Sequence, residues 1–285
     1  MMQRKYYRFA GLEFSVEMPE AICYTDDQRL SEFRVEAVSA PHRFCFGFAD
    51  EFSEPQGTLL SGGPNIRIYA ADDKRIRDIG GSLPYIRVEH QEREHSVLAR
   101  RNAYSGTIGV KTVLESMGVE HLIARNHGFV FHCAFVEYRG KAILFTAPSE
   151  TGKSTQAELW RRYRGAEIIN GDRAAVRLSE GTLLAEGIPF SGSSSYCKNR
   201  SLPLSAIVYL AQAPKTTIRK LRGYEAFSKI WEGISVNTWD RQDMELVSAL
   251  VQKTAAEIPV FYMPCTPDAD AVRILEEMLK KEEIL

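Results

Sequence analysis

The stretch Ala147-Pro148-Ser149-Glu150-Thr151-Gly152-Lys153-Ser154-Thr155 holds residue types suited to phosphate chemistry. Lysine brings a positive charge, serine a hydroxyl that can ligate a divalent cation, and glycine a backbone that can approach an anion closely. The apolar run Ala142-Ile143-Leu144-Phe145-Thr146 before it reads as a buried strand, and the residues from Ser154 to about Arg164 read as a helix. A loop in that setting exposes N–H groups that have no intrahelical partner, at the positive end of the helix dipole. The pattern predicts a nucleotide phosphate site on Ser149, Glu150, Thr151, Gly152, Lys153, Ser154 and Thr155, with Lys153 on the β/γ-phosphates and Ser154 on Mg²⁺. Two residues depart from the strict motif. Ala147 stands at its first glycine, and Glu150 puts a carboxylate in an anion loop, where it must turn outward or weaken binding.

Four further residues are candidates to act on a phosphate held there. Asp172 follows the strand Ala166–Ile169 and lies nineteen residues after Lys153. An acid at a strand end beside a phosphate loop suits a second Mg²⁺ contact, although Asn170-Gly171-Asp172 also suits a plain turn. His132 sits in an apolar strand next to the loop's own strand, as either a core histidine or a site residue. Lys198 and Arg200 follow the Gly/Ser stretch Ser191–Ser195. They read equally as cations that stabilise a transferring phosphoryl group and as solvated charges. The stretch itself reads as a mobile substrate loop or a connector.

The elements that must position these residues fall into two parts. Residues 1–104 read as a β-rich, antiparallel module of short strands, with Gly-Thr-Leu-Leu-Ser-Gly-Gly-Pro-Asn as a connector and His42, His90 and His95 as isolated, solvated residues. Residues 105–285 read as α/β. A helix over 108–126 is interrupted at Gly118, and a strand from Phe129 to Val136 turns at Tyr138–Lys141 into the strand before the loop. Later helices cover Tyr224–Trp231 and Asp240–Ile258. A last helix has Thr266 as N-cap and Pro267 in its first turn.

Composition narrows the class. The 285 residues carry a net charge of −1, which offers no general nucleic-acid or membrane-surface face. No apolar run approaches the ~18 residues of a membrane span. The basic N-terminus lacks the apolar stretch of a secretory signal, and five scattered cysteines suit a reducing cytoplasm.

From about Phe131 to Val176 the chain resembles the catalytic domain of HPr kinase/phosphorylase. That family carries a histidine on the strand before the loop, here His132, twenty-one residues before Lys153. It also carries an acidic pair followed by arginine, of which Asp172-Arg173 matches the second acid and the arginine, while Gly171 replaces the first acid. The whole chain, with Ala157–Ala174, Gly187–Ser201 and Tyr6–Phe14, looks like a bacterial subgroup of HPr kinase-like proteins, some of which accompany ribosomally made, modified peptides. The resemblance implies a phosphate-loop domain of the HPr kinase and phosphoenolpyruvate carboxykinase type, with a smaller β-rich N-terminal module. It implies an ATP- and Mg²⁺-dependent kinase acting on a serine-type hydroxyl of a peptide or small metabolite. Asp172 would be the base and a metal neighbour, His132 would line the phosphate site, and Lys153 with the loop amides would hold the β/γ-phosphates; Arg200, from the residues alone, is a further phosphate candidate. No nucleic acid or membrane partner is expected, and a homo-oligomer fits. Ala147, Glu150 and Gly171 also support a different class, a nucleotide-binding regulator or peptide-recognition scaffold without turnover.

Overall fold

The computed structural model describes residues 1–104 and 106–285. Two compact units form, Met1–Val119 and Glu120–Leu285, and residues 106–119 therefore go with the first.

The first unit contains β1 (Met2–Phe9), β2 (Leu12–Pro19), β3 (Cys23–Thr25), α1 (Gln28–Ser31), β4 (Arg34–Val35) and β5 (His42–Ala49). It continues with β6 (Thr58–Gly62), β7 (Ile66–Ala71), β8 (Lys74–Ile79), β9 (Ile86–Gln91), β10 (Glu94–Arg100), β11 (Thr107–Gly109) and α2 (Val110–Met117). Nine strands make one sheet in the order β4-β1-β2-β5-β10-β9-β8-β7-β6. Contrary to the antiparallel expectation, β5 runs parallel to both β2 and β10. Long connections on either side of β5 allow this, because parallel neighbours need a crossover rather than a tight turn. Thr58–Gly62, expected as connector, is the edge strand β6.

The three histidines of this unit are not isolated. Pairing sets His95 on β10 opposite His90 on β9 and beside β5. His95 Nε2 lies 3.1 Å from His42 Nδ1, and His95 Nδ1 lies 3.1 Å from His90 Nδ1. His95 is buried and stacks on Phe44. Cross-strand neighbours are invisible to a local reading, because they are brought together only by register.

The second unit is mixed α/β. It holds α3 (Val119–Arg125), β12 (Gly128–His132), β13 (Ala134–Tyr138), β14 (Lys141–Thr146), α4 (Lys153–Arg164), β15 (Glu167–Asn170), β16 (Arg173–Ser179) and β17 (Thr182–Gly187). Then come β18 (Ser201–Gln212), β19 (Arg219–Leu221), α5 (Gly223–Trp231), β20 (Ile234–Ser235), α6 (Arg241–Glu257), β21 (Val260–Cys265) and α7 (Ala269–Lys281). Strands pair in the order β15-β13-β14-β18-β17-β16-β12-β20, with β21 against β18 and β19 against β21. One apolar cluster joins Phe129, Phe131, Phe135 and Ile207 to α5 and α6 through Ile230 and Val251. Another joins Phe145, Val208 and Trp160 to α7 through Leu275 and Leu279.

The strand expected from Phe129 to Val136 is two strands. It breaks at Cys133, whose N–H donates to the Asp172 carbonyl at 3.0 Å instead of to a ladder neighbour. Before the break β12 pairs with β16; after it β13 pairs with β14 and β15. The turn after β13 forms as the sequence predicts, with Arg139 and Gly140 at φ of 54° and 74°.

Helix ends follow local chemistry. Gly118 closes α2 and Gly165 closes α4, both at positive φ. The last helix is capped by Asp268 rather than Thr266, whose hydroxyl pairs with that of Thr216 at 3.0 Å. Asp240 caps α6 by accepting from the Asp243 N–H. Asp243 is buried and also holds His121 Nδ1 at 2.8 Å, Arg125 Nε at 2.9 Å and Asn237 Nδ2 at 3.1 Å, which ties α3 to α6. Among the described residues no helix is long and apolar enough to cross a membrane.

Candidate functional site

The loop expected to hold phosphate runs from the end of β14 to the start of α4. Gly152 is the N-cap residue at φ 115°, and no side chain caps the helix. That leaves first-turn N–H groups open toward an anion. Glu150 also takes a left-handed conformation, φ 63°, and its side chain is exposed. Gln212 Nε2 donates to the Glu150 carbonyl at 3.3 Å. Ala147 is buried and has no positive φ, so the missing first glycine brings no backbone strain there. Thr151 bonds within the loop, its N–H to the Pro148 carbonyl at 3.4 Å and its hydroxyl to the Ser149 carbonyl at 3.5 Å.

Lys153 is the first residue of α4 and is only 8% exposed. Its ammonium donates to the carbonyls of Ala147 at 2.9 Å and Pro148 at 3.2 Å. Burial pulls its pKa down, opposed by Asp172 and Cys133 nearby. The Cys133 thiol is fully buried, and burial pushes its pKa up, so it is a neutral packing group.

Opposite the loop, the pairing of β12 with β16 sets His132 against Arg173 and beside Asp172. His132 Nδ1 lies 3.6 Å from Asp172 Oδ1, and Arg173 Nε lies 3.3 Å from Asp172 Oδ2. Burial lowers the His132 pKa, and the Lys153 and Arg173 charges add to this while Asp172 opposes it. The imidazole is thus biased toward its neutral form.

Asn170 builds the turn that carries Asp172. Its buried Oδ1 accepts from the N–H groups of Asp172 at 2.9 Å and Arg173 at 3.0 Å. Its Nδ2 donates to the Ile188 carbonyl at 2.9 Å and the Phe190 carbonyl at 3.4 Å. The sequence shows Asn-Gly-Asp as a turn; it does not show that Asn170 is a clamp between the turn and the 188–190 segment.

A cavity of about 490 Å³ joins the two sides. Ser149, Glu150, Lys153 and Ser154 line it from the loop and α4, and His132 and Asp172 line it from the sheet. The Gly/Ser stretch lines it too, through Ser193, Ser194 and Ser195. Tyr196 fastens that stretch to α4 with a hydrogen bond to Glu158 Oε1 at 2.7 Å. Thr151, Gly152 and Thr155 shape the loop and the helix start without lining the cavity. Arg200 is not there either: it pairs with Glu137 at 3.1 Å, and Lys198 pairs with Glu167. Glu158, Tyr196 and the serines were not legible as one group, because they converge from α4 and a distant loop.

The donor set is oxygen-rich. The Ser154 hydroxyl and the Asp172 carboxylate are hard ligands of the kind Mg²⁺ takes, and open N–H groups with Lys153 suit a phosphate. A carboxylate beside that anion site can take a proton from a hydroxyl, given a substrate that places one there.

No curated protein matches the chain. Among solved structures, the Hpr(Ser) kinase/phosphatase from Coxiella burnetii is similar at 12% identity and a TM-score of 0.34, over 54% of this chain and 98% of that one. The family model described as "SynChlorMet cassette protein ScmC" matches residues 107–265, more than half of the chain. The chain belongs to the ScmC family of SynChlorMet cassette proteins.

Proposed function

We propose that this protein is an ATP- and Mg²⁺-dependent kinase that moves the γ-phosphoryl group to a serine-type hydroxyl of a peptide, a protein or a small metabolite. The observation that carries the reading is the cavity shared by Lys153, the uncapped start of α4, His132 and Asp172. The second unit would then be a phosphate-loop domain of the HPr kinase and phosphoenolpyruvate carboxykinase type, with the β-rich module of residues 1–104 as an accessory part. A kinase of this kind works in the cytoplasm, where ATP is supplied.

Phosphoryl transfer needs positioning and charge neutralisation more than covalent catalysis. Lys153 and the first-turn amides hold the β- and γ-phosphates. Ser154 and Asp172 are the residues that would hold Mg²⁺, which offsets phosphate charge when bound. Asp172 takes the proton of the acceptor hydroxyl as its oxygen bonds to the γ-phosphorus and ADP leaves. His132 donates a ring N–H to a phosphate oxygen, and the phosphate charge draws its imidazole toward the protonated form.

The test is to incubate the protein with Mg²⁺, γ-labelled ATP and serine peptides encoded beside it. Label should reach a peptide serine and be lost in Asp172→Asn. Equal incorporation by wild type and Asp172→Asn would overturn the assignment of the base. A second reading, a nucleotide-binding regulator without turnover, draws on the Lys153 ammonium being bonded to its own loop. It predicts calorimetric ATP binding with no transfer and no hydrolysis.

A further inference from the structure

We propose that Ser194 is an intramolecular phosphoryl acceptor, so that the protein phosphorylates its own cavity loop. The inference rests on the kinase reading above and names an acceptor for it.

Three observations place Ser194 there. First, it lines the same cavity as Asp172 and Lys153. Second, the loop is pressed onto the turn that carries Asp172. A β-carbon built on Gly171 would fall 2.2 Å from Ser194 Oγ, and one built on Gly192 would fall 2.9 Å from Asp172 Oδ2. A side chain at either glycine would push the loop off the turn; Gly192 also needs its φ of 56°. Third, the loop is held in place. Tyr196 bonds Glu158 on α4, the Ser194 N–H donates to the Ser191 carbonyl at 2.8 Å, and the Lys198 N–H donates to the Ile169 carbonyl at 3.0 Å.

The hydroxyl oxygen is also used as an acceptor within its own loop. Ser194 Oγ accepts from the Tyr196 N–H at 3.1 Å. An accepting oxygen keeps its own proton available to a neighbouring base. In the step, the Ser194 Oγ–phosphorus bond forms and the bond from the γ-phosphorus to the β,γ-bridging oxygen breaks. The hydroxyl proton passes to Asp172, and the nucleoside diphosphate leaves with the bonding pair. The phosphoserine carries close to two negative charges facing the cavity of Lys153 and His132, where it competes with a second nucleotide.

The experiment incubates the full chain with Mg²⁺ and γ-labelled ATP in the absence of any acceptor. Intact mass, peptide mapping and ATP binding by calorimetry are followed over a tenfold range of protein concentration. The expected result is one phosphoryl group on Ser194, added at a rate independent of protein concentration and lost in Ser194→Ala. Ser194→Thr, which keeps a hydroxyl, should be labelled on threonine. Labelling elsewhere, a rate that rises with concentration, or ATP binding with no label on this loop would overturn the inference. If peptide serines are labelled while the loop stays unmodified, the inference fails and the kinase reading stands. If ATP does not bind at all, both fail together.

Discussion

The Lys153 ammonium donates to the Ala147 carbonyl, six residues back in its own loop, at 2.9 Å. A second bond reaches Pro148 at 3.2 Å, so the lysine is folded onto the strand-end of the loop it must serve. The third N–H of the ammonium is left for an incoming phosphate. Lys153→Met should therefore weaken ATP binding by about ten- to a hundredfold, from about 1.5–3 kcal/mol for a hydrogen bond to a charged group. Without nucleotide the same variant should change the melting temperature little, since relief of a desolvated ammonium offsets the two loop carbonyls left without a donor. Calorimetry and thermal unfolding read the two effects separately.

Protons should follow nucleotide. His132 and Lys153 both have lowered pKa values, mainly through burial. For His132 the unfolded chain holds more protons between the folded value and the ordinary value of about 6.5. Stability is therefore expected to rise with pH across that window and to fall as pH drops through it. A bound triphosphate favours the charged forms, so binding near pH 6.5 should take up protons. Calorimetry in buffers of different ionisation enthalpy measures the uptake, and His132→Gln should reduce it.

Asn170 should matter more to stability than its position in a turn suggests. Asn170→Ala leaves buried N–H and carbonyl groups unpaired, at about 1–3 kcal/mol for each. The denaturation midpoint should drop clearly, and transfer should drop with it as Asp172 loses its support. Asn170→Asp keeps the acceptor but sets a buried carboxylate against the Ile188 and Phe190 carbonyls, so near neutral pH it should destabilise at least as much as Asn170→Ala.

Placing an acid at position 171 should destabilise the protein. Gly171→Asp drives a β-carbon to 2.2 Å from Ser194 Oγ. Overpacking of this kind costs about 1–3 kcal/mol. Ser194→Gly in the same chain should recover most of the loss, and thermal unfolding of the four proteins in the cycle gives the coupling. Independent, additive effects would show that the two residues do not meet.

The network of His121, Arg125, Asp240 and Asp243 should behave as a structural ion cluster. Its carboxylates are already taken by His121, Arg125 and Asn237. Adding EDTA or Zn²⁺ should leave the melting temperature unchanged, whereas Asp243→Ala should lower it substantially, because it strips a buried partner from Arg125. The Asp243 pKa is lowered: burial pushes it up, but hydrogen bonds from His121 and Asn237 outweigh that. Its stabilising contribution is therefore present above the ordinary aspartate range and lost as pH falls through the folded value.

Local sequence determined the strand, loop and helix around Lys153, the turn at Arg139-Gly140, the break at Gly118 between α2 and α3, and the end of α4 at Gly165. Each rests on a few neighbouring residues: an apolar period or a glycine at positive φ. Tertiary structure decided what those elements meet. The break at Cys133 and the pairing of His132 with Arg173 put the imidazole beside Asp172. Packing onto Gly171 and Gly192 brought the serine loop into the cavity and left Arg200 outside it. Strand register gathered His42, His90 and His95, which the linear sequence separates. The physical reason is range: propensity and capping act within a turn or two, whereas register and loop docking are set by burial between segments far apart in the chain.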